Sequence, residues 1–290
     1  MRLKIAGHSG CNIEVIRENG QLLLYKYSTN PEYGKRLLKQ CEKQQNFRQG
    51  SHGKGITAPA VLRRIASPGQ LGMVMEFIHA KTFIDYFESA SYTAPKEFAD
   101  KIIAFLETEF AQSSLQKIPE SLLNAKLDSV ERNIGASEIL RNDTEIPSLL
   151  MRTRSLINDG HVREWPIGSC HGDFTLSNIL FQDSTLYLID FLDSFIETPL
   201  MDLVKLRQDT RYCWSQFLYQ EPFDRVKSRI IMDFLDHRIW NHFKNFPGVS
   251  SGYLELQCIN FLRILQYAKV PDIIDFLKKQ LVQLLQKEPS

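Results

Sequence analysis

Two polar segments in the middle of the chain constrain its fold more than any other feature. Residues 171–178 read HGDFTLSN, and residues 188–191 read LIDF. Both segments lie next to short apolar runs that predict β-strands. These runs are residues 165–170, 179–181 and 186–189. The pattern therefore places Asp173, Asn178 and Asp190 on two adjacent strand-to-loop connections.

These three side chains have the chemistry of a phosphoryl-transfer site, which needs an aimed hydroxyl, magnesium and fixed positive charge over a polyphosphate. Asp173 follows Gly172, where the backbone can bend sharply, and its carboxylate can orient a hydroxyl and accept its proton. Asn178 and Asp190 offer hard oxygen donors, which suit magnesium. His171 is expected to brace the loop, and a transition-metal site is disfavoured because no second His or Cys cluster lies nearby.

The first 78 residues predict an antiparallel sheet with one helix. Asn30 and Pro31 have the residue types of a helix cap and a first helical position. The helix should end in the glycine-rich residues 49–55, which predict a flexible connector. Five β-prone runs, separated by turn signals, surround this helix at residues 2–6, 11–17, 21–28, 60–65 and 71–78.

From about residue 82 the hydrophobic period becomes helical. Residues 115–163 predict further helices with polar connections, and the chain beyond residue 198 predicts helices to its end. Breaks are expected near Pro222, Pro247 and Pro271. The change from strands to helices predicts a boundary at residues 78–81, which divides the chain into parts 1–78 and 79–290.

Composition narrows the possible classes of protein. The 290 residues are 43% hydrophobic and 24% charged, as in an ordinary globular protein. No apolar run approaches the ~20 residues of a membrane span, and no signal-peptide hydrophobic region opens the chain, so we expect a cytoplasmic protein without a membrane partner. The five cysteines form no Cys-x-x-Cys pair and predict neither a zinc knuckle nor a disulfide framework.

Charge is distributed unevenly along the chain. Residues 1–64 hold 12 Lys and Arg against 4 Asp and Glu, an excess of +8, which leaves −7 for the remainder. This asymmetry suits a polyanionic cofactor on the first part and a neutral or cationic acceptor on the second. Ordinary solvated faces would produce the same pattern and are its more common cause.

The motif, taken with a glycine loop and a strand lysine upstream, resembles the aminoglycoside phosphotransferase and choline kinase family. The resemblance lies in His-Gly-Asp, an Asn five residues after that Asp, and Asp-Phe seventeen residues after it. It spans most of the chain. It implies an α+β, protein kinase-like bilobal fold, with a five-stranded antiparallel N-lobe carrying one helix and a mainly helical C-lobe.

The resemblance also implies roles for individual residues. Asp173 would be the catalytic base, and Asn178 and Asp190 would be the magnesium ligands. Lys26 would pair with the α and β phosphates of ATP. Leu192 stands where protein kinases carry glycine, a departure that small-molecule kinases share.

Further nucleotide contacts are implied upstream of the motif. A hairpin loop would cover the triphosphate, a glutamate of the first helix would brace Lys26, and main-chain groups of a hinge would bind adenine. For the bracing glutamate Glu42 is preferred over Glu32. The residues in these roles are Gly7, Ser9 and Gly10 of the loop, Glu42 of the helix, and Glu76 and Ile78 of the hinge.

The sequence leaves the acceptor open within one class. A helix should begin about ten residues beyond Asp190, which leaves no long segment on which a peptide could dock. In the family pattern Asp202, after Pro199, braces the catalytic loop. One possibility is an acidic or aromatic cage that binds an amine. Aromatic residues in helices more often pack in the core than form such a cage. A sugar acceptor is equally compatible with the sequence. The cage residues would be Asp193, Asp209, Tyr212, Trp214 and Trp240.

The resulting functional hypothesis is an ATP- and magnesium-dependent transfer of the γ-phosphate to a hydroxyl of a small metabolite. An amino alcohol, a sugar and an aminoglycoside-like compound all remain possible acceptors. The alternative hypothesis is a nucleotide-binding regulatory module of the same fold without turnover. A nucleic-acid partner is not expected, because no base-stacking or groove-reading motif accompanies the basic first part.

Overall fold

The N-terminal part of the chain forms a five-stranded antiparallel sheet, as expected. The structure, a computed structural model, describes residues 2–5, 11–50, 55–67 and 69–286, the first four by their backbone. The sheet has the order β1-β2-β3-β6-β5, and β4 lies outside it. The strands are β1 (Arg2–Ile5), β2 (Asn12–Glu18), β3 (Gln21–Ser28), β4 (Ile56–Thr57), β5 (Val61–Ser67) and β6 (Gln70–Glu76).

One long helix, α1 (Pro31–Gln49), packs on this sheet. The Asn30 side chain accepts hydrogen bonds from the N–H groups of Glu32 and Tyr33, so the predicted cap is confirmed. Leu37 and Cys41 of α1 pack against methionines of β6, and this contact places α1 beside the central strands.

The C-terminal part contains nine helices among the described residues, and the predicted helix breaks near Pro222, Pro247 and Pro271 are confirmed. Its first helices are α2 (Phe83–Glu88), α3 (Ala94–Ala111), α4 (Glu120–Ala136) and α5 (Ile146–Ile157). The helices that follow the motif are α6 (Pro199–Thr210), α7 (Trp214–Leu218), α8 (Arg225–Phe243), α9 (Tyr253–Leu265) and α10 (Pro271–Gln286).

Four short strands lie among these helices: β7 (Ser114–Ile118), β8 (Arg163–Ile167), β9 (Ile179–Gln182) and β10 (Thr185–Leu188). The expectation of helices throughout residues 115–163 was wrong at β7. That strand is stabilised by antiparallel pairing with β8, which is distant in sequence and leaves no local signal.

The catalytic motif rests on a small sheet of the order β4-β10-β9. The β9 and β10 strands form a hairpin, and β4 joins β10 in parallel. The sequence did not predict β4, because two residues inside a connector give no periodic signal. Through β4, the segment after α1 is attached to the strands that carry Asn178 and Asp190.

The largest hydrophobic core lies in the C-terminal part and extends into the first part. Phe47 at the end of α1 and Ile56 of β4 belong to it together with Phe105 and Phe174. The change from strand to helix falls between Glu76 and Phe83, while the division into parts 1–78 and 79–290 stays a prediction. Among the described helices, none has both the length and the apolar composition of a membrane span.

Candidate active site

The first turn of α6 holds the start of the loop formed by residues 171–178. The Asp202 carboxylate accepts hydrogen bonds from the N–H groups of His171 and Gly172, the second at 2.7 Å. Gly172 has a φ of +87°, and a Cβ there would lie 2.7 Å from the carbonyl oxygen of Leu192. Glycine is therefore required at this bend. Burial raises the pKa of Asp202 to about 7, although the two N–H donors oppose the rise.

A second buried carboxylate, Asp209, braces the other end of the loop. It accepts hydrogen bonds from the N–H of Leu176 at 2.6 Å and from the N–H of Ser215 at 2.8 Å. Burial raises its pKa to about 6. The possibility that Asp209 lines an acceptor cage was wrong, because both of its oxygens are bonded to this chain's own backbone.

His171 supports the loop from inside, as the sequence suggested. Its ring is buried and lies 4.3 Å from the ring of Phe191, centre to centre, and its Nδ1 accepts from the N–H of Asp173 at 3.2 Å. Burial lowers the pKa of His171 to about 4, so the imidazole is neutral at pH 7. A neutral, packed ring orients Asp173 without adding charge to the site.

The Asp173 carboxylate is held by two side chains. Lys205 of α6, which is buried, places its Nζ 3.0 Å from one carboxylate oxygen, and the Asn178 amide donates to the other at 3.0 Å. Burial raises the pKa of Asp173, but the Lys205 ammonium and the Asn178 amide outweigh burial, and the pKa lies below its ordinary value. Asp173 is therefore ionised and oriented at neutral pH.

Asp190 lies just beyond the end of β10, in a loop next to the one that carries Asp173. The two loops are joined by main-chain hydrogen bonds, from Ile189 to Asn178 and from Leu192 to His171, both at 3.0 Å. Asp190 has a φ of +61°, a left-handed conformation that is uncommon for a residue with a side chain.

Lys26 of β3 pairs directly with Asp190. Its Nζ lies 2.7 Å from the Asp190 carboxylate, and the lysine is buried while the aspartate is half-exposed. Burial lowers the pKa of Lys26, but the Asp190 charge outweighs burial and raises it. The pair connects the N-terminal sheet to the end of β10 and keeps a cation beside that carboxylate.

The prediction that Glu42 braces Lys26 was wrong. Glu42 lies on the exposed side of α1 and accepts a hydrogen bond from Arg64 at 3.0 Å. The alternative, Glu32, is also exposed and pairs with Lys35 at 3.1 Å. Because Asp190 already supplies the anion for Lys26, no glutamate of α1 is needed beside that lysine.

Two lysines of α1 instead pair with acidic residues of the segment after Asp190. Lys39 lies 3.2 Å from Asp193, and Lys43 lies 2.6 Å from Glu197. Lys43 also donates to the carbonyl oxygen of Leu192 at 2.7 Å. These contacts engage both acidic residues of the segment and attach α1 to the C-terminal part.

The remaining predicted nucleotide contacts lie at the hinge and at the hairpin loop. Glu76 ends β6, and its N–H bonds to the carbonyl oxygen of Ala60 at 2.9 Å. Ile78 lies two residues beyond, and no hydrogen bond within the described part of the chain uses its main-chain groups. Gly7, Ser9 and Gly10 fall outside the described residues.

The donor set of Asn178 and Asp190 fits magnesium. The Asn178 amide nitrogen makes both bonds to Asp173, at 2.8 Å to its carbonyl oxygen and 3.0 Å to its carboxylate, so the amide oxygen is directed elsewhere. Magnesium is commonly held by one or two carboxylates together with phosphates and water. Within the described ranges, no group of three or more His, Cys, Asp or Glu side chains is arranged to hold a metal.

Two tryptophans considered for an acceptor cage, Trp240 and Trp214, contact this chain's own side chains. The Arg207 guanidinium lies 3.9 Å from the centre of the Trp240 ring and pairs with the buried Asp236. Trp214 packs against Phe276, at 5.9 Å between ring centres. One face of the Trp240 ring is thus occupied by this chain's own arginine.

Sequence reasoning missed Lys205, the partner of Asp173. A signal was present, because Lys205 follows Asp202 by three residues on a predicted helix, and this spacing places both on one face. Asp202 was expected to face the catalytic loop, and Lys205 reaches the same loop one turn later.

A family comparison decides the class of this protein. The model of APH, the phosphotransferase enzyme family, matches residues 6–224. The chain belongs to this family. It is a small-molecule kinase, and its fold and motif agree with that assignment.

Solved structures with the same fold include kinases of small molecules. A thermostable mutant of aminoglycoside phosphotransferase APH(4)-Ia, in ternary complex with ADP and hygromycin B, has a TM-score of 0.65 at 10% identity, covering 99% of this chain and 93% of that one. A choline/ethanolamine kinase family protein from Mesorhizobium loti has a TM-score of 0.59 at 13% identity, covering 99% and 88%. No curated protein matches the sequence significantly.

Proposed function

We propose that this enzyme transfers the γ-phosphate of ATP to a hydroxyl of a small molecule, with magnesium as its metal. One observation carries the proposal: the ionised Asp173 is fixed by Lys205 and Asn178, beside the loop that ends in the Asp190–Lys26 pair. A fixed carboxylate next to a cation for phosphate is the arrangement that phosphoryl transfer requires.

In the proposed reaction Asp173 orients the acceptor hydroxyl and takes its proton. The acceptor oxygen forms a bond to the γ-phosphorus as the bond between that phosphorus and the bridging oxygen breaks, and ADP leaves with the bond's electron pair. Lys205, 3.0 Å away, keeps Asp173 ionised until the proton arrives. Orientation and charge placement supply most of the catalysis in such reactions.

The Lys26 ammonium would serve the α and β phosphates of ATP. It now lies 2.7 Å from Asp190, so a bound polyphosphate would share it with that carboxylate. Asn178 and Asp190 would hold magnesium through their oxygens. Magnesium held there would supply positive charge that offsets the negative charge of the phosphate groups.

The rest of the nucleotide would lie along the hinge. Main-chain groups of Glu76 and Ile78 would bind adenine, and the loop of Gly7, Ser9 and Gly10 would cover the triphosphate. The neighbouring structure of APH(4)-Ia was captured with ADP and hygromycin B, which supports ATP as the donor and a small molecule as the acceptor.

The segment between Asp190 and α6 supports a small acceptor rather than a peptide. Pro199 begins α6 only nine residues after Asp190, and the carboxylates between them are engaged by Lys39 and Lys43. Such a short, attached segment offers no platform for an extended chain. We propose neither a nucleic-acid nor a membrane partner for this site.

The test is ADP formation from magnesium-ATP with a panel of hydroxyl compounds that bear anionic, neutral or cationic groups. We expect acceptor-dependent ADP release that falls at least ~100-fold in Asp173→Asn, the scale of a lost general base. Asp233→Asn is the matched control, because Asp233 is exposed and pairs with Arg229 on α8. Acceptor-dependent turnover that survives Asp173→Asn removes Asp173 from its role, and tight ATP binding without transfer to any acceptor favours a regulatory module.

A further inference from the structure

Three cations from three helices act on one another electrostatically, and the charge of Asp173 acts on one of them. We name Arg36 of α1, Lys126 of α4 and Arg263 of α9 the cation cluster. In the described part of the chain, none of the three forms an ion pair with a carboxylate, whereas Lys205 pairs with Asp173 at 3.0 Å. The described residues therefore supply no salt-bridge partner to the cation cluster.

Two members of the cation cluster lie on one aromatic ring. The Lys126 Nζ is 5.7 Å and the Arg263 Cζ is 5.6 Å from the centre of the Phe195 ring. Phe195 belongs to the segment between Asp190 and α6, which also carries Asp193 and Glu197. Those two acids pair with Lys39 and Lys43 rather than with the cation cluster.

The Arg263 guanidinium is partly buried, and one of its nitrogens is unsatisfied among the described residues. Its Nη1 is shut off from solvent, and no acceptor in the described part of the chain bonds to it. Burial lowers the pKa of Arg263, and the Arg36 charge adds to this, although the charge of Asp173 opposes it. A buried donor of this kind costs free energy unless an acceptor reaches it.

Lys126 experiences the same accumulation of positive charge. Burial lowers its pKa first, and the charges of Arg263 and Arg36 lower it further. Like charges close together repel one another, and an anionic group bound between them would relieve the repulsion. An anionic ligand would therefore be bound by both side chains.

Helix contacts place Arg263 on the catalytic side of α9. Gln208 of α6 and Asn260 of α9 are joined by a buried hydrogen bond of 2.8 Å. Lys205 lies one turn from Gln208, and Arg263 lies one turn from Asn260, each on the same face as its neighbour. Lys205 contacts Asp173, and the charge of that carboxylate also acts on Arg263.

We infer that the acceptor carries a carboxylate or phosphate group, which Arg263 and Lys126 bind beside Phe195 while its hydroxyl reaches Asp173. Arg36 adds a third cation from α1. The inference rests on the proposed function and names the charge class of its acceptor. It reverses the expectation of a neutral or cationic acceptor, which followed from the net charge of the C-terminal part rather than from the local charge.

The test uses isothermal titration of the full chain with its nucleotide site saturated by magnesium-AMP-PNP. The probes are glycerol 3-phosphate, glycerate, glycerol and choline, which carry a phosphate, a carboxylate, no charge and a cation. We expect at least one of the two anions to bind at least tenfold more tightly than glycerol and choline. The anion that binds more tightly identifies the charged group.

Variants then assign the binding to the cation cluster. Arg263→Met and Lys126→Met should each weaken anion binding at least tenfold and leave the affinity for AMP-PNP unchanged. Arg132→Met, an exposed position on the same helix as Lys126, should change neither.

Three results would overturn the inference: anions that bind no better than glycerol or choline, anion binding that both variants retain, or variants that weaken AMP-PNP instead. Far-UV circular dichroism checks that each variant is folded, and Lys126→Met provides a second test if Arg263→Met is not. The AMP-PNP titration is independent of the anion result. Its failure would contradict the proposed function, whereas failure of the anions alone would contradict only the acceptor class.

Discussion

Replacement of Lys205 by methionine should impair catalysis most at low pH. The substitution removes the ammonium 3.0 Å from Asp173 but keeps a side chain of similar length in the buried position. Burial, which raises the pKa of Asp173, would remain, while the main opposing charge would be lost. The pKa of Asp173 should therefore rise, and the base should be protonated over a wider acidic range.

The magnitude follows from the geometry of the pair. Two unit charges about 4 Å apart interact by ~4 kcal/mol at an effective dielectric constant of about 20. A neighbouring cation of this kind lowers a carboxylate pKa by about 1–3 units, each worth ~1.36 kcal/mol. We expect the acidic limb of kcat/KM to move upward by about 1–2 pH units in Lys205→Met.

The same pair should contribute to stability with a defined sign. The pKa of Asp173 is lower in the folded protein than in the unfolded chain. Ionised Asp173 therefore stabilises the fold at pH values above its unfolded-state pKa, and this stabilisation is lost as the pH falls through its folded-state pKa. Lys205→Met should therefore lower Tm at neutral pH, and the difference from the wild type should shrink in acid.

The assay is kcat/KM against pH for the wild type, Lys205→Met, Lys205→Arg and the control Lys96→Met. Lys205→Arg keeps the charge and should restore most of the acidic limb. Lys96 is exposed and pairs with Asp100 on α3, so its replacement should leave the profile unchanged. An unmoved acidic limb in Lys205→Met, or equal losses in the Met and Arg variants, would refute the reasoning.

Three further substitutions test the supports of the site. Gly172→Ala would strain a backbone with φ of +87° and press a Cβ against Leu192, so Tm and kcat should both fall, with a stability loss of ~1–3 kcal/mol in chemical denaturation. Asp202→Asn would turn an amide donor toward a backbone N–H and should cost ~1.5–3 kcal/mol; unchanged thermal unfolding would contradict the bracing role. Glu42→Gln should leave the KM for ATP unchanged, because Glu42 pairs with Arg64 at the surface, and a tenfold rise would restore it as the partner of Lys26.

Local signals account for the parts of the fold that the sequence predicted well. Asn30 and Pro31 start α1 because a cap side chain and a fixed φ act within one turn. The β9–β10 hairpin and the start of α6 at Pro199 have similarly short-range causes. By contrast, β7 exists through its pairing with β8, and β4 through its pairing with β10. Such long-range partners cannot be read from either segment alone.

The same distinction applies to the site. The spacing of Asp173, Asn178 and Asp190 was sufficient to predict two adjacent loops, because residues at strand ends are positioned by the strands themselves. Glu42 was misassigned because its partner was inferred from helix position, whereas the true partner of Lys26 comes from another part of the chain. The net charge of the C-terminal part could not indicate the cation cluster, because it sums charges from faces of the protein that point in different directions.

Phosphorus NMR of magnesium-ATP mixed with the acceptor panel tests the central claim most directly. The wild type should convert the γ-phosphate resonance into a phosphomonoester resonance in the presence of an acceptor. Asp173→Asn should bind ATP with unchanged affinity, because Asp173 contacts Lys205 and Asn178 rather than the nucleotide-side Lys26, and yet form no ester. Ester formation by Asp173→Asn at the wild-type rate would contradict the account.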